Sequence, residues 1–309
     1  MITSIFKKST PLNFSLVVIL ILVFFSIYQI QDVLWVNSTI LIIKKVVILF
    51  AIVASVFITN FVTKKNGLSK DSCYAIFFYL LFFLFFPSLW DDFRLVFANL
   101  FVLLALRRLI SLHSLKASKE KIFDASLWIF VASLFQFWCI LYLALVFISI
   151  IFHVARDYRN WFLPFIALFT SGIMFSVVAI LLDIDVITYI DKSISTSFSL
   201  DYFTNNYQNA ALSIYATIAM FFVISVFLTF SSKPVITHST YKTIIASFFI
   251  AVIIYIVSPN KSNNLLIFTV APLAIMATNH IEIPQLKLKQ EMVLGVLILC
   301  SLFAFFSQL

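Results

Sequence analysis

Phe85-Phe86-Pro87-Ser88-Leu89-Trp90-Asp91-Asp92-Phe93-Arg94 is followed by an apolar segment that ends at Arg107-Arg108. A run of phenylalanines stops at a proline. Two acids and an arginine follow, and the chain is then apolar until the next basic pair. In a bilayer this reads as a helix rising to one face, a short acidic turn, and a helix descending to the other. Lysine and arginine mark the cytoplasmic side of such a chain. The acidic turn is the compact charged cluster of the opposite face.

The same alternation runs through all 309 residues. The chain is 63% hydrophobic and 11% charged, with a mean hydropathy of +1.10. Soluble domains sit near ~45–50% apolar and ~25% charged, so a soluble fold could not hide this much apolar surface. No stretch is long and polar enough for a separate soluble domain, and residues 1–309 read as one transmembrane domain. The net charge of +8 belongs to cytoplasmic loops near anionic lipid rather than to nucleic-acid binding. Glycine occurs 3 times. Close helix packing through small residues and the broken helices of transporters both need such residues. Packing here falls to Phe, Leu and Ile, and a transporter is the third functional reading. Cys73, Cys139 and Cys300 lie inside apolar runs without metal spacing and read as buried thiols.

Apolar runs at 14–30, 40–62, 73–86, 94–106, 162–182, 210–230, 243–257, 265–278 and 292–309 read as single spans. The run at 122–154 decides the topology. As one helix it would extend ~50 Å, against a hydrocarbon core of ~30 Å. Two full spans would need ~40 residues. Both flanks are basic, with Lys119 and Lys121 before and Arg156 and Arg159 after. The segment therefore reads as a short hairpin with its tip near Gln136-Phe137-Trp138. The fold expected is all-α: a polytopic helical bundle of about 11 spans with the N-terminus cytoplasmic, in a bacterial inner (cytoplasmic) membrane. This map puts roughly 16 of the 21 Lys and Arg inside. Asp183, Asp185, Asp191 and Asp201 fall in the longest outer loop.

Four cations break that bias: Lys44, Lys45, Arg94 and Lys261. Gathered in one outward cavity opposite Asp32, Asp91 and Asp92, they would suit a lipid phosphate, because they supply charge and donors where water is scarce. Snorkelling to the surface is the plain alternative for the lysines. Asp91 and Asp92 are adjacent, so on a helix their side chains would point ~100° apart, which makes a poor acid–base dyad. Either suits a general base, a metal ligand or an N-cap for the span that starts at Arg94. Asn99 and Gln136 read as interhelical hydrogen-bonding groups. His113, His153, His238 and His280 fall at inner span ends, far apart in sequence, and no metal site is indicated. No Walker A, GxGxxG, GxSxG or HExxH pattern occurs, and no cofactor is expected.

The opening Phe6-Lys7-Lys8-Ser9-Thr10-Pro11-Leu12-Asn13, with the Phe-, Ile-, Lys- and Asn-rich composition, resembles an uncharacterised family of multi-pass inner-membrane proteins from Bacteroidota. A second likeness is architectural. An outer turn with Asp91-Asp92, a descending span, a basic loop, a short hairpin and, late in the chain, Lys261 followed by Ala271-Pro272-Leu273-Ala274 are similar to the C-type polyprenol-dependent glycosyltransferases. Those enzymes take sugars from lipid phosphate carriers on the outer face. That likeness implies a core that binds a polyprenyl-phosphate or related lipid, active or degenerate. Asp32, Asp91 or Asp92 would be the catalytic acids, and Lys44, Lys45, Arg94 and Lys261 would be the phosphate ligands. The first outer loop is short and offers Asp32 alone. A non-enzymatic subunit or scaffold of a cell-envelope assembly is the second reading. The partners implied are membrane lipids, a polyprenyl-phosphate carrier and other envelope membrane proteins, with no nucleic acid.

Overall fold

The structure is a computed structural model that describes residues 2–31, 34–183, 194, 196, 205–259 and 261–309. Among these residues the fold is helical, without strands. The helices are α1 (Ile2–Phe6), α2 (Pro11–Gln29), α3 (Thr39–Lys65), α4 (Tyr74–Phe83), α5 (Phe93–Ile110) and α6 (Ser118–Phe135). They continue as α7 (Leu143–His153), α8 (Arg159–Leu181), α9 (Asn206–Thr229), α10 (Val235–Val257), α11 (Ile267–Glu282) and α12 (Lys287–Ser307). Eight segments are long and apolar enough to cross a membrane, those of α2, α3, α5, α8, α9, α10, α11 and α12. A helix satisfies its own backbone hydrogen bonds, which lipid cannot do for it. The protein is therefore read as a multi-pass membrane protein.

Local chemistry sets the helix ends. Pro11 opens α2 at a position where a missing N–H costs nothing, with Thr10 as N-cap. At the end of α3, Gly67 adopts φ +63°. Its N–H donates to Lys64 O at 3.2 Å, and the Leu68 N–H donates to Thr63 O at 3.0 Å. This is a Schellman closure, which needs a left-handed residue at that point. The 73–86 run does not form a full-length helix. α4 has 10 residues, and Phe86 leaves the helical region at φ −129°, ψ 72°, as the residue before a proline tends to do. Asp92 caps α5, its Oδ1 accepting from the Leu95 N–H at 3.0 Å. Arg107 and Arg108 end α5, where cations suit the helix dipole.

The short α4 is tolerated because lipid never reaches it. All ten of its residues are buried, and α11 packs against it. In a membrane, burial gains nothing from expelling water, so close packing must supply the attraction. Aromatic rings do this here. Phe77 stacks on Phe6 at 4.1 Å between centroids, and Phe83 meets Trp90 edge-on at 4.9 Å. Phe82 and Phe86 both pack edge-on against Tyr215 of α9. Such pairs contribute about 0.5–1.5 kcal/mol each beyond area burial. α11 answers with small side chains, Ala271, Ala274 and Ala277, all buried. Polar groups in this core are paired across helices. Asn99 donates to Tyr79 Oη at 3.0 Å, and the Tyr215 and Thr269 hydroxyls share a hydrogen bond at 2.6 Å.

Hydrogen bonds sort the helix ends into two groups. At the basic end, Lys64 meets Ser9, Ser72 donates to Glu282, and the Thr3 N–H donates to Glu291 at 3.2 Å. Tyr241 Oη there lies 3.1 Å from Leu68 O and 3.0 Å from Asn279 Oδ1, two acceptors that share its one O–H. At the opposite end, Gln308 donates to Phe85 O at 3.1 Å and Gln31 to Leu309 O at 2.9 Å. Between them α6 and α7 form a hairpin. α6 stops at Gln136, whose backbone is extended at φ −137°, ψ 104°. A 3-10 turn at Phe137–Tyr142 leads into α7, and Lys119 and Asp157 meet at 3.4 Å at the basic end.

Candidate functional site

The acidic turn after α4 sits at the opposite end. Asp91 Oδ1 accepts from Gln29 Nε2 of α2 at 2.9 Å and pairs with the ammonium of Lys45 on α3. Gln29 is buried. The Lys45 side chain is 13% exposed and that of Asp91 43%. The pair therefore sits where the protein surface ends rather than in open water. Asp92 faces α5 as its cap. Two neighbouring acids thus do two different things: one neutralises a half-buried lysine, the other closes a helix.

Of the remaining residues expected at this face, Lys44 and Arg94 are exposed and form no ion pair among the described residues. Lys261 is half-buried. Its loop meets the acidic turn through Asn264, whose Oδ1 accepts from Ser88 Oγ at 2.7 Å. Gln136 donates to Ser258 Oγ at 3.2 Å, which ties the hairpin tip to the same loop. Asp32 lies outside the described residues, as does most of the long acidic loop before α9. Tertiary packing thus joins Lys45 to Asp91 and brings the loop of Lys261 onto the turn. Arg94 and Lys44 are left at the surface.

The basic end carries a feature that the sequence reading treated as topology alone. The ends of α3 and α5, the 3-10 turn at Ser111–Ser114 and the start of α6 surround a cavity of about 400 Å³. Lys65, Arg107, Arg108, Lys116 and Lys121 line it together with His113. Phe61 forms one wall, with the Arg107 guanidinium 4.6 Å and the Lys65 ammonium 5.0 Å from its ring centroid. Lys121 donates to Ser111 O at 2.7 Å and to Ser114 Oγ at 2.8 Å. Arg108 pairs with Asp124 at 2.8 Å. Spacing along the chain could not show this convergence, since Lys65 arrives from a different helix. The one signal was density: Arg107, Arg108, Lys116, Lys119 and Lys121 all fall in or beside a loop that reads as a mere flank. Among the described residues no group of His, Cys, Asp and Glu has the arrangement of a metal site.

A protein family of unknown function, DUF6427, matches the chain over residues 1–309. The chain belongs to this family. No curated protein and no solved structure matches it. For this DUF6427 member, then, chemistry has to be argued from the two polar ends themselves.

Proposed function

We propose that this protein is a non-enzymatic membrane subunit of a cell-envelope assembly. In this reading it crosses a bacterial inner membrane about 11 times with its basic end in the cytoplasm. The orientation is supported by the gathering of Lys64, Lys65, Arg107, Arg108 and Lys119 at one end of the bundle. The non-enzymatic reading is carried by what the two acids of the turn do. A general base needs a carboxylate within reach of a substrate proton. Asp91 is held by Lys45 and Gln29, and Asp92 by the first turn of α5. α8 adds an outward face of Phe165, Phe169, Ile173 and Val177, a surface suited to lipid tails or to an apolar helix of a partner.

The second reading is a glycosyltransferase-C-like core that binds a polyprenyl-phosphate at the outer face. The contact between Ser88 and Asn264 favours it, because that contact sets the loop of Lys261 against the turn that holds Lys45 and Asp91. One experiment separates the two. The protein is purified from native membranes in mild detergent, as parent, as Asp91→Asn and as Phe165→Ser/Phe169→Ser. The subunit reading expects a stoichiometric membrane partner that survives Asp91→Asn and is lost with the α8 changes. Transfer of a sugar from a polyprenyl-phosphate carrier by the parent, abolished by Asp91→Asn, would overturn it in favour of the enzyme.

A further inference from the structure

The cavity at the basic end is used by neither reading. Of its five cations, Arg108 has a carboxylate partner, Asp124. Lys65, Arg107, Lys116 and Lys121 form no ion pair among the described residues. Like charges gathered around one cavity repel, and the energy is recovered when an anion enters. The backbone is also strained at this place. Leu115 and Ala117, on either side of Lys116, adopt φ 55° and φ 49°, a left-handed conformation that side-chain-bearing residues avoid. Strain of that kind persists where surrounding structure enforces it, and it clusters at binding sites.

A second observation identifies what the anion is attached to. Phe61 and Lys65 line not only the basic cavity but also a neighbouring groove of about 730 Å³, walled by Phe14 of α2 and Phe57 of α3. Asn60 and Lys64 also line that groove, but most of its surface is apolar, and Phe57 and Phe61 are each 40% exposed. A charged cavity thus shares a wall, Phe61 and Lys65, with a mostly apolar groove on the flank of a membrane helix. A soluble anion would fill only the first of these, whereas an amphiphile fills both.

We propose that this end of the protein binds an anionic phospholipid. Its phosphate sits among Lys65, Arg107 and Lys121, and an acyl chain lies in the groove between α2 and α3. Arg107 is pre-organised by its stacking on Phe61 and presents a planar fork that suits two phosphate oxygens. Lys121 is fixed by Ser111 and Ser114 and supplies a point charge. Basic cavities between membrane helices take anionic headgroups on these grounds.

The test uses the full chain in detergent, titrated separately with a phosphatidylglycerol, a phosphatidylcholine of the same chain length, and inorganic phosphate. Binding should favour phosphatidylglycerol over both. Lys65→Gln/Arg107→Gln should weaken it about tenfold or more, and Lys65→Arg/Arg107→Lys should restore most of it, which separates lost charge from misfolding. Phe57→Ser should weaken the lipid and leave inorganic phosphate unchanged. Equal affinity for the two lipids, or an unchanged affinity in the doubly neutralised variant, would overturn the site. Inorganic phosphate binding as tightly as the lipid, with no effect of Phe57→Ser, would overturn the lipid assignment in favour of a free anion.

Discussion

The Lys119 ammonium lies 3.4 Å from the Asp157 carboxylate, and the two residues stand at the entrance to α6 and just past the exit of α7. The Arg159 N–H donates to the same side chain at 3.0 Å and, as the leading cause, holds the Asp157 carboxyl below its usual range. An exposed ion pair contributes little to stability, about 0–1 kcal/mol. Its value here is geometric. A chain that leaves this end at residue 118 and returns to it by 157 has reversed direction, and the extended backbone of Gln136 is where it does so.

Topology follows from that reversal. Single cysteines at Ser118 and Ser262, in a background lacking Cys73, Cys139 and Cys300, should react with an impermeant maleimide from opposite sides of the membrane. Ser118 should be reached only after the cells are opened, because it lies among the lysines of the basic end. Both sites reacting in sealed cells would remove the hairpin from the membrane map.

The strained loop beside the basic cavity makes a stability prediction. Ala117 is the N-cap of α6, at φ 49°, with no side-chain cap hydrogen bond. Glycine adopts this conformation freely and is acceptable at an N-cap. Ala117→Gly should stabilise the protein by about 0.5–1 kcal/mol, seen as a higher midpoint in detergent denaturation. A lower midpoint would mean that the left-handed turn is absent from the folded protein.

Much of this architecture was legible from charge alone. Basic flanks far apart in sequence, such as Lys64, Lys119 and Arg107, meet at one end because interfacial charge is cheap and central charge costly. That is a one-dimensional signal, which a sequence preserves. The cap at Asp92 was legible for the same reason, standing just before an apolar run. The size of α4 was not. The run at 73–86 is apolar on every face, and a helix buried all round carries no periodicity to say how long it is or what covers it. Charge also set Lys45 on the same face as Asp91, but the meeting of Lys65 with Arg107 and Lys121 was not legible. That depends on how the end of α3 lies against α5 and α6, and no spacing in the chain encodes it.

Gly67 offers the mirror image of Ala117. A Cβ built there would meet nothing within 4 Å, so space does not oppose a side chain. The backbone does, through φ +63° at the Schellman position. Gly67→Ala should cost about 1 kcal/mol, and Gly67→Asn less, since asparagine tolerates the left-handed region. Because this closure anchors the end of α3 next to Lys65, Gly67→Ala should also weaken any ligand held in the basic cavity. Equal stability of all three proteins would show that α3 ends in another way.

Lys233 supplies the pH dependence. It follows a 3-10 turn at Phe230–Ser232 and precedes α10. Its ammonium is buried without a hydrogen-bond partner among the described residues and lies 3.3 Å from the ring centroid of Tyr241. Burial pushes its pKa down to about 7, while the ring face favours the charged form. An unfolded lysine titrates near ~10.4. Between these two values the unfolded chain binds the extra proton, so this group's contribution to stability rises with pH across that window and is smallest below about 7. Lys233→Met keeps the length of the side chain and removes the charge. The variant should melt higher than the parent at pH 6, and the gap should narrow as the pH rises towards ~10.4. Tyr241→Leu, which removes the ring and leaves the lysine, should destabilise more at pH 6 than at the alkaline end. A gap between Lys233→Met and the parent that stays constant over the whole range would show that the ammonium is solvated, and the buried cation–π contact would then be wrong.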